Sequence, residues 1–90
     1  MKAFNYLVVV SYPGYPEWPS PKRFDERVER LLRKESSGGG AGFGRRDFDF
    51  TYPTWEKAKK AAAKVRTYAK KEKEAVYRNT IVKVYKNELI

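Results

Sequence analysis

Three segments of the chain have the hydrophobic pattern of β-strands. Residues 3–12, AFNYLVVVSY, are a short apolar run rich in β-branched valine, which is typical of a buried strand. Residues 45–52, RRDFDFTY, alternate strictly, with aromatic side chains on one face and aspartate and threonine on the other. Residues 75–86, AVYRNTIVKVYK, alternate towards their end and predict a last strand.

Apolar residues at helical spacing follow the first strand. Ser20 and Pro21 suit the cap and the first position of a helix, which we expect to end near Lys34. The apolar stripe of this helix recurs every three or four residues and consists of Phe24, Val28, Leu31 and Leu32.

A second helix is predicted over residues 55–72, with Thr54 as its cap and Glu56 in its first turn. Its inner face is mostly alanine, which would allow the helix to lie close to a sheet. The residues assigned to this face are Trp55, Ala58, Ala61, Ala62, Val65 and Ala69.

The order of these elements predicts a single α+β domain over residues 1–90. A further strand, short and rich in glycine, is expected within residues 36–43, in a hairpin with residues 45–52 through a turn near Gly44. The order would then be βαββαβ, the ferredoxin-like sandwich, in which an antiparallel sheet carries both helices on one face. Without the glycine strand, the sheet would have three strands.

The glycine-rich stretch over residues 36–48, SSGGGAGFGRRDF, allows three interpretations. Glycines let backbone amides approach a phosphate, but a phosphate-binding loop joins a strand to a helix and ends in Gly-Lys-Ser or Gly-Lys-Thr. Here the glycines follow a helix and no such triplet is present, which disfavours nucleotide binding. The simplest interpretation is a hairpin or linker that turns the chain from the helix to the sheet edge.

The third interpretation is a strand that binds RNA. Residues 41–48, AGFGRRDF, are similar to the third strand of the RNA-recognition motif in their Gly-Phe-Gly triplet and in Phe48. The basic, stacking and core positions of that motif are occupied instead by Ala41, Arg45 and Arg46. The neighbouring aspartates would repel phosphate on the sheet surface. The sequence therefore does not establish membership of that family.

Composition restricts the chemistry of the chain. It has no cysteine and no histidine, which excludes disulfides, thiolate metal sites and the commonest general base. Asp47 and Asp49 share a strand face and could bind a divalent cation, but pairing with Lys83 or Arg78 is the simpler expectation. We expect no enzymatic activity, no cofactor and no metal site. Because no apolar stretch reaches the roughly 18 residues of a membrane span, we also expect a soluble, cytoplasmic protein without a membrane contact.

Charge gives the best indication of function. Twenty lysine and arginine residues against eleven aspartate and glutamate residues give a net charge of +9, which would attract a polyanion. Residues 54–72 contain seven basic and only two acidic residues. Arg45 and Arg46 could extend this basic surface, whose lysines opposite the alanine face are Lys57, Lys60, Lys64 and Lys71. A solvated surface without any partner is the competing interpretation.

This pattern predicts a small basic binding module that contacts RNA or a ribonucleoprotein through the lysine-rich helix face. Lysines bind phosphates without reading sequence, and we expect RNA rather than duplex DNA as the nucleic-acid partner.

A protein-binding inhibitor or adaptor is the alternative, for example a small phage-encoded protein that blocks a host complex. Residues 13–19, PGYPEWP, form a proline-rich loop in which Tyr15 and Trp18 would anchor an acidic protein surface or stack on a base. A homodimer through the open face of the sheet is a further expectation.

Overall fold

The fold is that of a computed structural model, which describes residues 3–13, 22–42, 44–73 and 75–89. Within these ranges the chain forms one four-stranded sheet and three helices. The elements in chain order are β1 (Ala3–Pro13), α1 (Lys22–Leu32), β2 (Gly38–Gly42), β3 (Arg45–Tyr52), α2 (Trp55–Lys70), α3 (Ala75–Arg78) and β4 (Ile81–Leu89).

The sheet has the strand order β4-β1-β3-β2 and is antiparallel throughout. At its centre, Val8 of β1 lies opposite Phe50 of β3 on one side and Val84 of β4 on the other. β3 therefore lies between β1 and β2, the two strands joined through α1. β1 lies between β3 and β4, the two strands joined through α2. Because α1 and α2 both pack on the same face of this sheet, the predicted ferredoxin-like sandwich is confirmed.

The glycine-rich segment forms the edge strand β2, so the hairpin interpretation is confirmed. Gly44 lies in the turn with a φ of 75°, in the left-handed region that favours glycine. A Cβ atom at Gly39 would lie 3.2 Å from the carbonyl oxygen of Asp47 and 3.8 Å from the Arg46 guanidinium. The bare backbone at Gly39 therefore lets β2 lie close to β3 without crowding the Asp47 carbonyl oxygen.

This hairpin also corrects the comparison with an RNA-binding strand. Residues 41–48 span the end of β2 and the beginning of β3 instead of lying in one strand. Phe48 is buried in the core below the helices, where no base could reach it.

The core lies between the helices and one face of the sheet. The alternation predicted for residues 45–52 is confirmed, since Phe48 and Phe50 are buried while Asp47 is exposed. In α1, Phe24 and Val28 are fully buried, and the two leucines of the predicted stripe are half-buried. The second helix contributes mainly small side chains, namely Ala58, Ala61, Ala62, Val65 and Ala69.

Three predictions about these elements are wrong. Residues 75–78 form the short helix α3, and the last strand begins only at Ile81. Arg78 in α3 donates hydrogen bonds to the carbonyl oxygens of residues 72 and 73, so it does not pair with an aspartate across the sheet. Trp55 is 47% exposed, because the first residue of α2 lies outside the sector that the alanines bury.

None of the helices in the described ranges is long and apolar enough to cross a bilayer.

Candidate polyanion-binding site

Four exposed lysines form a row along α2 and its cap. This lysine row consists of Lys57, Lys60, Lys64 and Lys71. At about 100° per residue, the four positions fall within a sector of about 60° on the helix surface. Within the described parts of the chain, no ion pair involves any of the four ammonium groups.

The local sequence explains why these lysines face outwards. The Thr54 hydroxyl accepts a hydrogen bond from the Lys57 amide at 3.3 Å and caps the helix at its start. The buried alanines then fix the rotation of α2 about its axis. Residues 54–72 contain two acidic residues. Glu72 is buried and pairs with Arg27 at 3.1 Å, while Glu56 is exposed in the first turn. The negative charge of Glu72 is therefore neutralised by Arg27 of α1 and does not reduce the positive charge of the lysine row.

A second basic group occupies the flank of α2 that faces β4. Arg66 donates a hydrogen bond of 2.7 Å to the carbonyl oxygen of Val82 and so binds the helix to the edge strand. Lys59 and Lys70 on the same flank are exposed. Arg66 therefore has a structural contact, whereas its two lysine neighbours remain available to a ligand.

The structure does not bring Arg45 and Arg46 together, because successive residues of a strand point to opposite faces. Arg45 lies on the open face, where it donates to the Ser11 hydroxyl at 2.9 Å and to the Ser11 carbonyl at 3.0 Å. Arg46 lies on the helix face and donates to the Asp25 carboxylate at 2.7 Å. This hydrogen bond raises the pKa of Arg46. Both arginines therefore join elements of the fold.

The open face of the sheet carries mixed charge. Lys83 and Arg45 lie on it together with Asp47 and Asp49, and burial raises the pKa of Asp49. Its central strands present no aromatic side chain there, unlike the sheet surface on which RNA-recognition motifs stack bases. Within the described residues, no group of three acidic side chains is placed to hold a metal ion. A homodimer through this face stays a prediction.

An aromatic patch that the sequence did not predict lies at the start of α2. It consists of Phe4, Tyr6, Tyr52 and Trp55. Tyr6 lies opposite Tyr52 in the sheet and meets the Trp55 ring edge-on, with 5.7 Å between ring centroids. Phe4 follows on the same face of β1, two residues away. Phe4 and Trp55 are 37% and 47% exposed.

A lysine accompanies three of the four rings in this patch. The ammonium nitrogen of Lys86 lies 4.0 Å from the centre of the Phe4 ring. That of Lys34 lies 4.9 Å from the Tyr52 ring, and that of Lys59 lies 6.0 Å from the Trp55 ring. These are cation–π distances, and all three lysines are exposed. Only the register of β1 against its neighbours reveals this grouping, because the residues are far apart in sequence.

The aromatic loop predicted from Tyr15 and Trp18 lies outside the described residues. Its role in the alternative function, a protein-binding inhibitor or adaptor, stays a prediction.

Comparison with known proteins does not place the chain in a family. No protein-family model, no curated protein and no solved structure matches it. The lysine row and the aromatic patch therefore carry the functional inference.

Proposed function

We propose that this protein is a non-enzymatic module that binds the phosphate backbone of RNA, free or within a ribonucleoprotein, through the lysine row. The observation that supports this most is the grouping of four exposed ammonium groups without a paired carboxylate in the described parts of the chain. At a rise of about 1.5 Å per residue, the row extends over about 21 Å from Lys57 to Lys71. This length allows contact with several successive phosphates.

The internal pairing of acidic side chains also supports a cationic outer surface. In the helix layer, Asp25 binds Arg46 and Glu72 binds Arg27. These carboxylates are buried, so they reduce the net charge of the protein without screening the lysine row. A polyanion that approaches α2 therefore meets positive charge, with Glu56 as the acidic exception in the helix.

The residue types on α2 favour phosphate contacts over base reading. Sequence-specific contacts in the major groove are made mainly by arginine, asparagine and glutamine. The helix contains no asparagine or glutamine, and its arginine, Arg66, is bonded to the backbone of β4. Lysines act as point charges on phosphate, which gives affinity without sequence preference.

The salt dependence of RNA binding tests this proposal. Affinity for a labelled RNA oligomer is measured by fluorescence anisotropy over a series of salt concentrations. If each lysine of the row neutralises one phosphate, log K against log salt has a slope of about −2.8 for a single strand. Lys64→Glu and Lys60→Glu should each weaken binding and reduce the magnitude of this slope by about 0.7.

Lys83→Glu is the matched control, since it makes the same change of net charge on the open sheet face. It should weaken binding much less than Lys64→Glu. No binding at low salt, or an equal loss in the two variants, would contradict the proposal.

A further inference from the structure

We infer that the aromatic patch stacks unpaired bases, so that the nucleic acid bound along the lysine row is single-stranded. This inference rests on the proposed function and adds to it the strandedness of the ligand and a second contact surface.

The exposure of the patch is its first unusual property. Aromatic side chains lie under the helix layer in the core as well, where Phe24 stacks on Tyr77 at 4.5 Å and Tyr12 meets Phe24 at 4.9 Å. Those three rings are at most 4% exposed. At the other end of the same face, Phe4 and Trp55 are exposed, because α2 begins at Trp55 and does not extend over that end of the sheet.

The pairing of rings with ammonium groups indicates the chemistry of the ligand. Proteins that bind single strands combine aromatic rings, on which bases stack, with basic side chains that hold the adjacent phosphates. Each lysine at the patch has a flexible four-carbon stem, so its ammonium group can leave the ring face for a phosphate while a base takes its place. Lys34, Lys59 and Lys86 provide three such positions around the four rings.

The patch and the lysine row meet at the first turn of α2, from different sides of the helix. Trp55 and Lys57 are two residues apart, and therefore about 200° apart around the helix axis. Lys59 lies on the same side as Trp55, with its ammonium group over that ring. A single strand that follows the row to the start of α2 must therefore cross the first turn of the helix to reach the Trp55 ring, and then Tyr6 beside it.

Other occupants fit these side chains less well. An apolar protein segment would cover the rings but would remove three ammonium groups from water without supplying an anion. A duplex keeps its bases stacked on one another, so they cannot reach the rings. Unpaired bases linked by phosphates satisfy the rings and the lysines together.

The test measures the affinity of the protein for three ligands. They are an RNA oligomer as a single strand, the same oligomer as a duplex with its complement, and polyphosphate, which is a polyanion without bases. Wild-type protein should bind the single strand more tightly than the other two at equal salt. Trp55→Leu, which keeps an apolar side chain but no ring, should weaken single-strand binding by about 5- to 150-fold. Its affinity for polyphosphate and the salt slope should stay unchanged, while Trp55→Phe should retain most of the single-strand affinity.

Tyr85→Leu is the control, because Tyr85 is equally exposed, at 48%, but lies on the open sheet face. It should leave binding to all three ligands unchanged. If wild type binds all three equally and Trp55→Leu has no effect, the inference is overturned while the proposed function stands. If no ligand binds in a salt-dependent way, the proposed function itself is overturned. Binding to anionic vesicles but not to RNA would overturn both.

Discussion

Asp25 shows how one buried side chain holds several elements of this fold together. Its two carboxylate oxygens accept hydrogen bonds from the Tyr12 hydroxyl of β1, at 2.8 Å, and from Arg46 of β3, at 2.7 Å. Because Asp25 belongs to α1, these bonds attach that helix to both central strands. A buried carboxylate with such partners is stabilising only while both partners are present.

Asp25→Ala should lower the free energy of unfolding by about 2–3 kcal/mol. The buried hydroxyl of Tyr12 would lose its acceptor, while the Arg46 side chain, 28% exposed, could recover part of its hydration. Urea denaturation measures the effect. Asp47→Ala removes an exposed carboxylate from the open sheet face and should change stability by less than about 0.5 kcal/mol. Equal losses in the two variants would show that the Asp25 contacts do not stabilise the fold.

Tyr12 should make the protein less stable at alkaline pH. Burial, and secondly the hydrogen bond to Asp25, raise the pKa of Tyr12 in the folded state. An unfolded tyrosine loses its proton near pH 10, where the folded chain still keeps it. The free energy of unfolding therefore falls as pH rises above about 10.

Tyr12→Phe should be about 1 kcal/mol less stable than wild type at neutral pH, because the hydrogen bond to Asp25 is lost. Above pH 10 its stability should decrease less steeply than that of wild type. Urea denaturation from neutral to alkaline pH gives both quantities, and parallel pH profiles would count against a buried, protonated Tyr12.

At the scale of elements, α2 determines where the cationic groups lie. Four of its five buried side chains are alanines, so the helix backbone lies close to the sheet and its rotation is fixed by a narrow inner sector. The lysine row then follows from helical periodicity alone. This is why the sequence was sufficient to predict the row.

The sequence predicted less where the outcome depended on contacts between distant residues. The amino acids at positions 75–78 suit a strand, yet they form α3, whose Tyr77 stacks on Phe24 of α1. Helix α1 ends at Leu32, since Arg33 adopts a φ of 53° and the Lys34 amide bonds back to the Glu29 carbonyl. The aromatic patch likewise requires the register of β1 against β3, which no local pattern specifies.

A larger side chain in the inner sector of α2 should displace the helix from the sheet. Ala62→Leu should cost about 1–3 kcal/mol of stability, because Ala62 is fully buried. Ala63→Leu is the control on the same helix, since Ala63 is exposed and leucine is a good helix former. Thermal denaturation should show a clear decrease for the first variant alone. Similar melting temperatures for the two variants would mean that α2 does not lie close to the sheet.

At the scale of the whole molecule, the two faces differ in chemistry. The helix side carries the lysine row and the aromatic patch, whereas the open sheet face mixes Arg45 and Lys83 with Asp47 and Asp49. A ligand attracted by the net charge of +9 should therefore settle on the helix side. The ferredoxin-like sandwich supplies the rigid sheet that keeps the two surfaces of that side in a fixed relation.

The most direct test of this account is a map of amide chemical shifts in NMR spectra of the full chain during titration with single-stranded RNA. The largest shifts should occur in α2 up to Lys71 and in β1 around Phe4 and Tyr6. Amides around Asp47 and Lys83 should remain nearly unchanged. Shifts concentrated on the open sheet face, with α2 unaffected, would contradict the central claim that the helix side binds the nucleic acid.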